Sequence, residues 1–203
     1  MRPIFVIGLV VIGVLLLSFL LSGRKNITNY PPKNDTIVAF GDSLIAGYGA
    51  TRGNDLVSVV STQLKRNIIN LGVSGDTSAD GLARIDAVLK QNPGTVLLLI
   101  GGNDFLRKVS IETTEKNLRT IIQKLTDEGV VIVLLGVRSG LFGGESDRMY
   151  EKLHDDFGTL YIEDVLSGIF LRQELMYDTI HPNDRGYVII AERIVALFQE
   201  YEL

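Results

Sequence analysis

Ser43, Asp178 and His181 supply a hydroxyl, a carboxylate and an imidazole, the three groups that nucleophilic acyl transfer requires. A serine hydroxyl is a weak nucleophile until a neighbouring base takes its proton. The chain holds two histidines, so the candidates can be compared directly. His154 lies in "MYEKLHDDFG", among charged residues on a predicted helix, and reads as a solvated side chain. His181 lies in "YDTIHPND", where the following Pro182 disfavours helix and suits an extended or turn geometry. Three residues earlier, Asp178 can fold back over a tight turn to fix the tautomer and direction of the ring, or it can serve only as a turn or cap residue. Acyl transfer also needs donors aimed at the developing oxyanion. The backbone N–H groups of Ser43 and Gly75 and the amide of Asn103 are suitable, although Gly75 and Asn103 are also ordinary turn formers.

The elements that must position these residues are legible from periodicity. Short apolar runs, "TIVAF" (36–40), "NIINLGV" (67–73), "TVLLLI" (95–100), "VVIVLLG" (130–136) and "TLYIEDV" (159–165), alternate with amphipathic stretches at about 54–66, 78–91, 111–128, 146–157 and 183–201. Most of the runs are too continuously apolar to have a wet face, as expected of parallel strands covered on both sides. Five β-then-α units predict one doubly wound α/β domain. In the helices, Leu82, Ile85, Val88 and Leu89, then Leu118, Ile121, Ile122 and Leu125, then Val188, Ile189, Ile194, Val195 and Leu197 are the expected inward faces. Ligands of such sheets bind outside the carboxyl ends of the strands. Four polar segments fall there: Gly41-Asp42-Ser43, "SGDTS" (74–78), Gly101-Gly102-Asn103-Asp104, and "YDTIHPND" (177–184).

Composition narrows the function classes. The net charge is −4, with acidic and basic residues interspersed, so nothing marks a nucleic-acid partner. There is no cysteine, which removes disulfides, thiolate nucleophiles and cysteine-ligated metals. Neither G-x-G-x-x-G nor G-x-x-x-x-G-K-[ST] occurs, so no phosphate cradle is expected. G-x-S-x-G is absent around Ser43, which argues against an α/β-hydrolase elbow. Asp42, Asp76, Asp104 and Asp184 have no histidine among the first three, and aspartates beside tight turns commonly bond their own backbone, so no metal is expected.

The amino terminus is a separate object. Residues 4–21, "IFVIGLVVIGVLLLSFLL", form an unbroken apolar run. As a helix it would span roughly 27 Å, near the thickness of a bilayer core. It reads as an uncleaved membrane anchor over residues 1–25, with a cleaved signal peptide as the alternative. The short tail ahead of it suggests that the domain lies outside the cytoplasm. Residues 26–35, "NITNYPPKND", read as a stiff linker, and the domain itself as 36–203.

"FGDSLIAGYG", "NLGVSGDTSADGLARI", "LLIGGNDFLR" and "DTIHPNDRGY" together resemble the SGNH hydrolase superfamily, the GDSL lipases and esterases, and within it the bacterial acyl thioesterase, lysophospholipase and arylesterase branch. The resemblance covers nearly all of residues 36–200. It implies a three-layer α/β/α sandwich with a five-stranded parallel sheet, flavodoxin-like, and no metal or organic cofactor. It implies Ser43 as nucleophile and first oxyanion donor, Gly75 and Asn103 as further donors, Asp178 as orienter and His181 as general base. The expected substrate is a small-molecule ester, a lysophospholipid or an acyl thioester. Leu106, and Leu141 and Phe142 within "GVRSGLFGGESDRMY" (136–150), are candidates to line an acyl groove. Two other functions compete: removal of O-acetyl groups from polysaccharide or peptidoglycan, which calls for an open polar groove, and a non-catalytic envelope scaffold.

Overall fold

The structure, a computed structural model, describes residues 26–138 and 144–203. Its centre is a parallel sheet of β1 (Ile37–Gly41), β2 (Ile68–Gly72), β3 (Thr95–Leu99), β4 (Val131–Leu135) and β5 (Leu160–Ile162), in the order β2-β1-β3-β4-β5. Alternate residues face opposite sides of a strand, and the two faces sort accordingly. Ile37, Ala39, Leu97, Leu99, Val131 and Val133 pack on α2 (Leu56–Leu64) and α7 (Asp184–Glu200). Val38, Phe40, Val96, Leu98, Ile132 and Leu134 pack on α3 (Ser78–Leu89), α5 (Ile111–Asp127) and α6 (Glu145–Phe157). The expected three-layer α/β/α sandwich is therefore the observed one. Each such fully buried Val, Leu, Ile or Phe side chain stabilises the fold by roughly 1.5–3 kcal/mol.

The remaining helices are short: α1 (Ser43–Ala46), α4 (Gly102–Leu106) and a 3-10 turn at Gln173–Leu175. None was expected, because a single turn is too brief to show a period. Strand β5 is also shorter than its apolar run. Asp164 ends it by accepting from the Leu166 N–H at 3.1 Å, which turns the chain away from the sheet. The inward face of α7 holds Ile194 and Val195, as expected, together with Tyr187, Ile190 and Ala191, whereas Val188 is exposed.

Residues 26–35, expected as a linker, are laid along the base of the sheet. Thr28 N–H donates to the Gly158 carbonyl at 2.9 Å, and the Asn29 amide to the carbonyls of Thr126 and Val130 at 2.9 and 3.2 Å. The Lys33 ammonium reaches the Glu128 carbonyl at 2.7 Å, and the Asn34 amide the Asn92 carbonyl at 3.1 Å. All these acceptors precede strands, so the segment lies at the amino end of the sheet. Residues 4–21, the expected membrane anchor, fall outside the described residues; among the described residues no helix is long and apolar enough to cross a membrane.

Candidate active site

Strand register brings the polar segments together. In β1, Gly41 is paired with Gly72 of β2 and Leu99 of β3, so all three strands end level and their loops open on one edge. Gly72 has to be glycine, because a Cβ there would lie 2.2 Å from the Ala46 nitrogen of α1. Asp42 caps α1 by accepting from the Leu44 N–H at 3.0 Å. Ser43 thus opens a helix, and its own N–H has no carbonyl to meet within that helix.

His181 arrives from a loop closed as a tight hairpin. Met176 and Pro182 form an antiparallel bridge, and the Tyr177 N–H donates to the His181 carbonyl at 2.8 Å. Asn183 caps α7 and donates its amide back to the carbonyls of Glu174 and Met176 at 3.1 and 3.3 Å. On this frame His181 Nε2 lies 2.9 Å from Ser43 Oγ, and Nδ1 lies 2.8 Å from Asp178 Oδ2. With Nδ1–H donating to the carboxylate, Nε2 presents a lone pair to the serine O–H. Asp178 also closes the turn: Oδ1 accepts from the N–H groups of Ile180 and His181, at 2.8 and 2.7 Å. Partial burial pushes this carboxyl up, but the Ile180 N–H and the two His181 donors outweigh it and leave it below the usual carboxylate range.

Asn103, in α4, donates its amide to the Asp76 carbonyl at 3.0 Å, which leaves the second amide hydrogen for the cavity that Asn103 lines beside Ser43 and His181. Gly75 sits on the turn before Asp76 with φ +88°, a left-handed conformation that favours glycine. Beneath the edge, Asp42 is buried and its carboxyl is pushed up to about 7, chiefly by desolvation; the Leu44 N–H opposes this, and Asp76 and Asp104 reinforce it. Asp104, also buried, accepts from Ser78 N–H and Oγ at 2.7 and 2.5 Å and from Thr114 Oγ1 at 3.2 Å, joining the loops after β2 and β3.

The cavity that opens beside Ser43 has a volume of about 770 Å³. Leu106, Val109, Val137, Met149, Leu166 and Phe170 supply much of its wall. Leu106, one of the residues expected to line an acyl groove, lines this cavity and is 53% exposed. Leu141 and Phe142 lie outside the described residues. Sequence reasoning missed Tyr48, whose ring packs 4.5 Å from the His181 ring and limits its swing. Its only signal was an aromatic next to the glycine that ends α1. His154 is not the solvated residue expected: its Nδ1 donates to the Thr159 carbonyl at 2.7 Å and its ring stacks on Tyr161, at the base of the sheet.

The sequence model of the GDSL-like Lipase/Acylhydrolase family matches residues 39–189, which spans every one of these loops. The chain belongs to this family. It is 34% identical over 167 residues to thioesterase 1/protease 1/lysophospholipase L1 of Escherichia coli (strain K12), covering 78% of this chain and 80% of that one. It is 31% identical over 159 residues to esterase TesA of Pseudomonas aeruginosa, covering 72% and 79%. Among solved structures, that of AlinE4, an SGNH-hydrolase family esterase, superimposes with a TM-score of 0.66 at 33% identity, over 82% of this chain and 95% of that one. This GDSL family chain is accordingly a carboxylic ester hydrolase that works by serine chemistry.

Proposed function

We propose that Ser43 is the nucleophile of an esterase acting on medium- or long-chain acyl esters, lysophospholipids or acyl thioesters. Ser43 Oγ attacks the acyl carbonyl while His181 Nε2 takes the hydroxyl proton and Asp178 holds the ring. The tetrahedral oxyanion is met by the N–H groups of Ser43 and Gly75 and by the Asn103 amide. Collapse breaks the bond to the leaving oxygen or sulfur, which receives the proton from Nε2, and an acyl-enzyme remains. Water, deprotonated by Nε2, then attacks that ester; the acid leaves and Ser43 recovers its proton. The observation that carries this reading is the Ser43–His181–Asp178 chain opening directly on an apolar cavity. Such a wall also favours an acyl chain over the open polar groove that a polysaccharide deacetylase would need.

The test is hydrolysis of p-nitrophenyl esters from acetate to laurate by the detergent-solubilised full chain, with Ser43→Ala as blank. The rate is expected to peak at medium or long chains. Activity confined to acetate would overturn the acyl-groove assignment.

The same proposal includes a membrane anchor at residues 4–21, with the domain outside the cytoplasm. Its support is the length of the apolar run and the placement of residues 26–35 along the base of the sheet. Residues 22–25 extend to at most about 14 Å, whereas a domain of this size is roughly 40 Å across. The catalytic mouth then points away from the bilayer that holds it, toward substrates on the aqueous side. Full-length chain is expected to stay in the membrane pellet through alkaline carbonate washing. Release into the wash, or a mass lacking the first residues, would contradict the anchor.

A further inference from the structure

Three oxyanion donors on three strand ends act together only if their spacing is fixed, and one side chain braces the ends of β1 and β2 and the Asp76 turn on which Asn103 rests. Arg84, on α3, donates from Nη2 to the Gly41 carbonyl at 2.8 Å, two residues before Ser43. Its Nη1 donates to the Leu71 carbonyl of β2 at 2.7 Å. Its Nε donates to Asp76 Oδ2 at 2.5 Å, and it is the Asp76 carbonyl that receives the Asn103 amide. The guanidinium lies over Phe40 of β1, its Cζ 4.2 Å from the ring centroid. The Arg84 and Asp76 side chains are 23% and 11% exposed, so the pair is largely shielded from solvent.

We infer that Arg84 is a positioning residue that sets the spacing of the oxyanion donors of Ser43, Gly75 and Asn103. This rests on the proposed reading of those three donors. The planar fork of arginine is what the arrangement uses: all three nitrogens are committed in fixed directions, to β1, to β2 and to the turn that carries Gly75 and orients Asn103. A lysine keeps the charge beside Asp76 but, as a single ammonium, cannot hold two strand-end carbonyls and a carboxylate in one plane.

The test compares Arg84→Lys in two backgrounds, the natural sequence and Asn103→Ala, using p-nitrophenyl hexanoate turnover and the rate of inactivation by a fluorophosphonate. In the natural background, Arg84→Lys is expected to lower kcat roughly 10- to 100-fold, short of the ~10²–10³-fold typical of deleting a donor outright. KM should stay within about two-fold, and fluorophosphonate inactivation should slow by the same factor as kcat, because both need the donors. In the Asn103→Ala background the same substitution should cost less, about two- to three-fold, since one of the three donors whose spacing it sets is already gone. Full activity of Arg84→Lys would overturn the inference, as would an equal cost in both backgrounds, which is what general loosening of the fold would give. Should Arg84→Lys fail to fold, the double variant Arg84→Gln/Asp76→Asn leaves no unpaired carboxylate and is read the same way. Unchanged turnover in Asn103→Ala would instead overturn the donor reading itself, and with it the inference.

Discussion

Ser43→Ala is expected to lower kcat/KM for ester hydrolysis by roughly 10⁴- to 10⁶-fold, the scale seen when a serine hydrolase loses its nucleophile. The physical reason is local. His181 Nε2, 2.9 Å from Ser43 Oγ, is left with no hydroxyl to activate, while the cavity wall and the other donors remain. The fold should survive, because Ser43 is only half-buried at the first position of α1 and the cap from Asp42 to the Leu44 N–H does not involve its hydroxyl. Initial rates with a p-nitrophenyl ester, alongside circular dichroism, check both statements. Turnover above a tenth of the natural rate in a folded Ser43→Ala chain would rule Ser43 out.

The second large effect belongs to the base. His181→Ala is expected to match Ser43→Ala within about ten-fold, since residues that act as a unit fail as a unit. Asp178→Asn should cost about 10⁴-fold by favouring the wrong tautomer. The pH dependence has a definite sign. Protonated His181 cannot accept the serine proton, so acidification lowers kcat/KM. Asp178, held below the usual carboxylate range, keeps its charge to lower pH than an ordinary carboxylate and so goes on orienting the ring as the pH falls. A rate that is flat down to pH 4 would sink the assignment of the base. His154→Ala provides the contrast: its contacts to Thr159 and Tyr161 are at the base of the sheet, so thermal stability should drop while kcat is unchanged.

What the sequence makes legible here is set by the kind of signal each feature leaves. The inner strands β1, β3 and β4, buried on both faces, read as unbroken apolar runs, and their regular alternation with amphipathic stretches marks the two edge strands and the edge their loops share as well. The joining of Ser43 to His181 across the molecule also follows, because there were only two histidines to weigh and Pro182 marked one as a loop residue. Features that depend on backbone acceptors leave no such trace. Residues 26–35 read as a linker because their partners are carbonyls of Gly158, Thr126 and Asn92, which no side-chain pattern announces. Arg84 looks like any charged residue on an amphipathic helix until its nitrogens are found on Gly41, Leu71 and Asp76. His154 misled for the opposite reason: charged neighbours suggested solvent, yet its ring turns inward at the end of α6.

The central claim, that hydrolysis runs through a covalent intermediate on Ser43, is tested most directly by peptide mapping of the full chain after partial inactivation with a fluorophosphonate. The account predicts one adduct, on Ser43, growing in proportion to the activity lost and absent from Ser43→Ala. An adduct on another residue that tracks the loss, or a chain modified at Ser43 that still turns over esters, would contradict it.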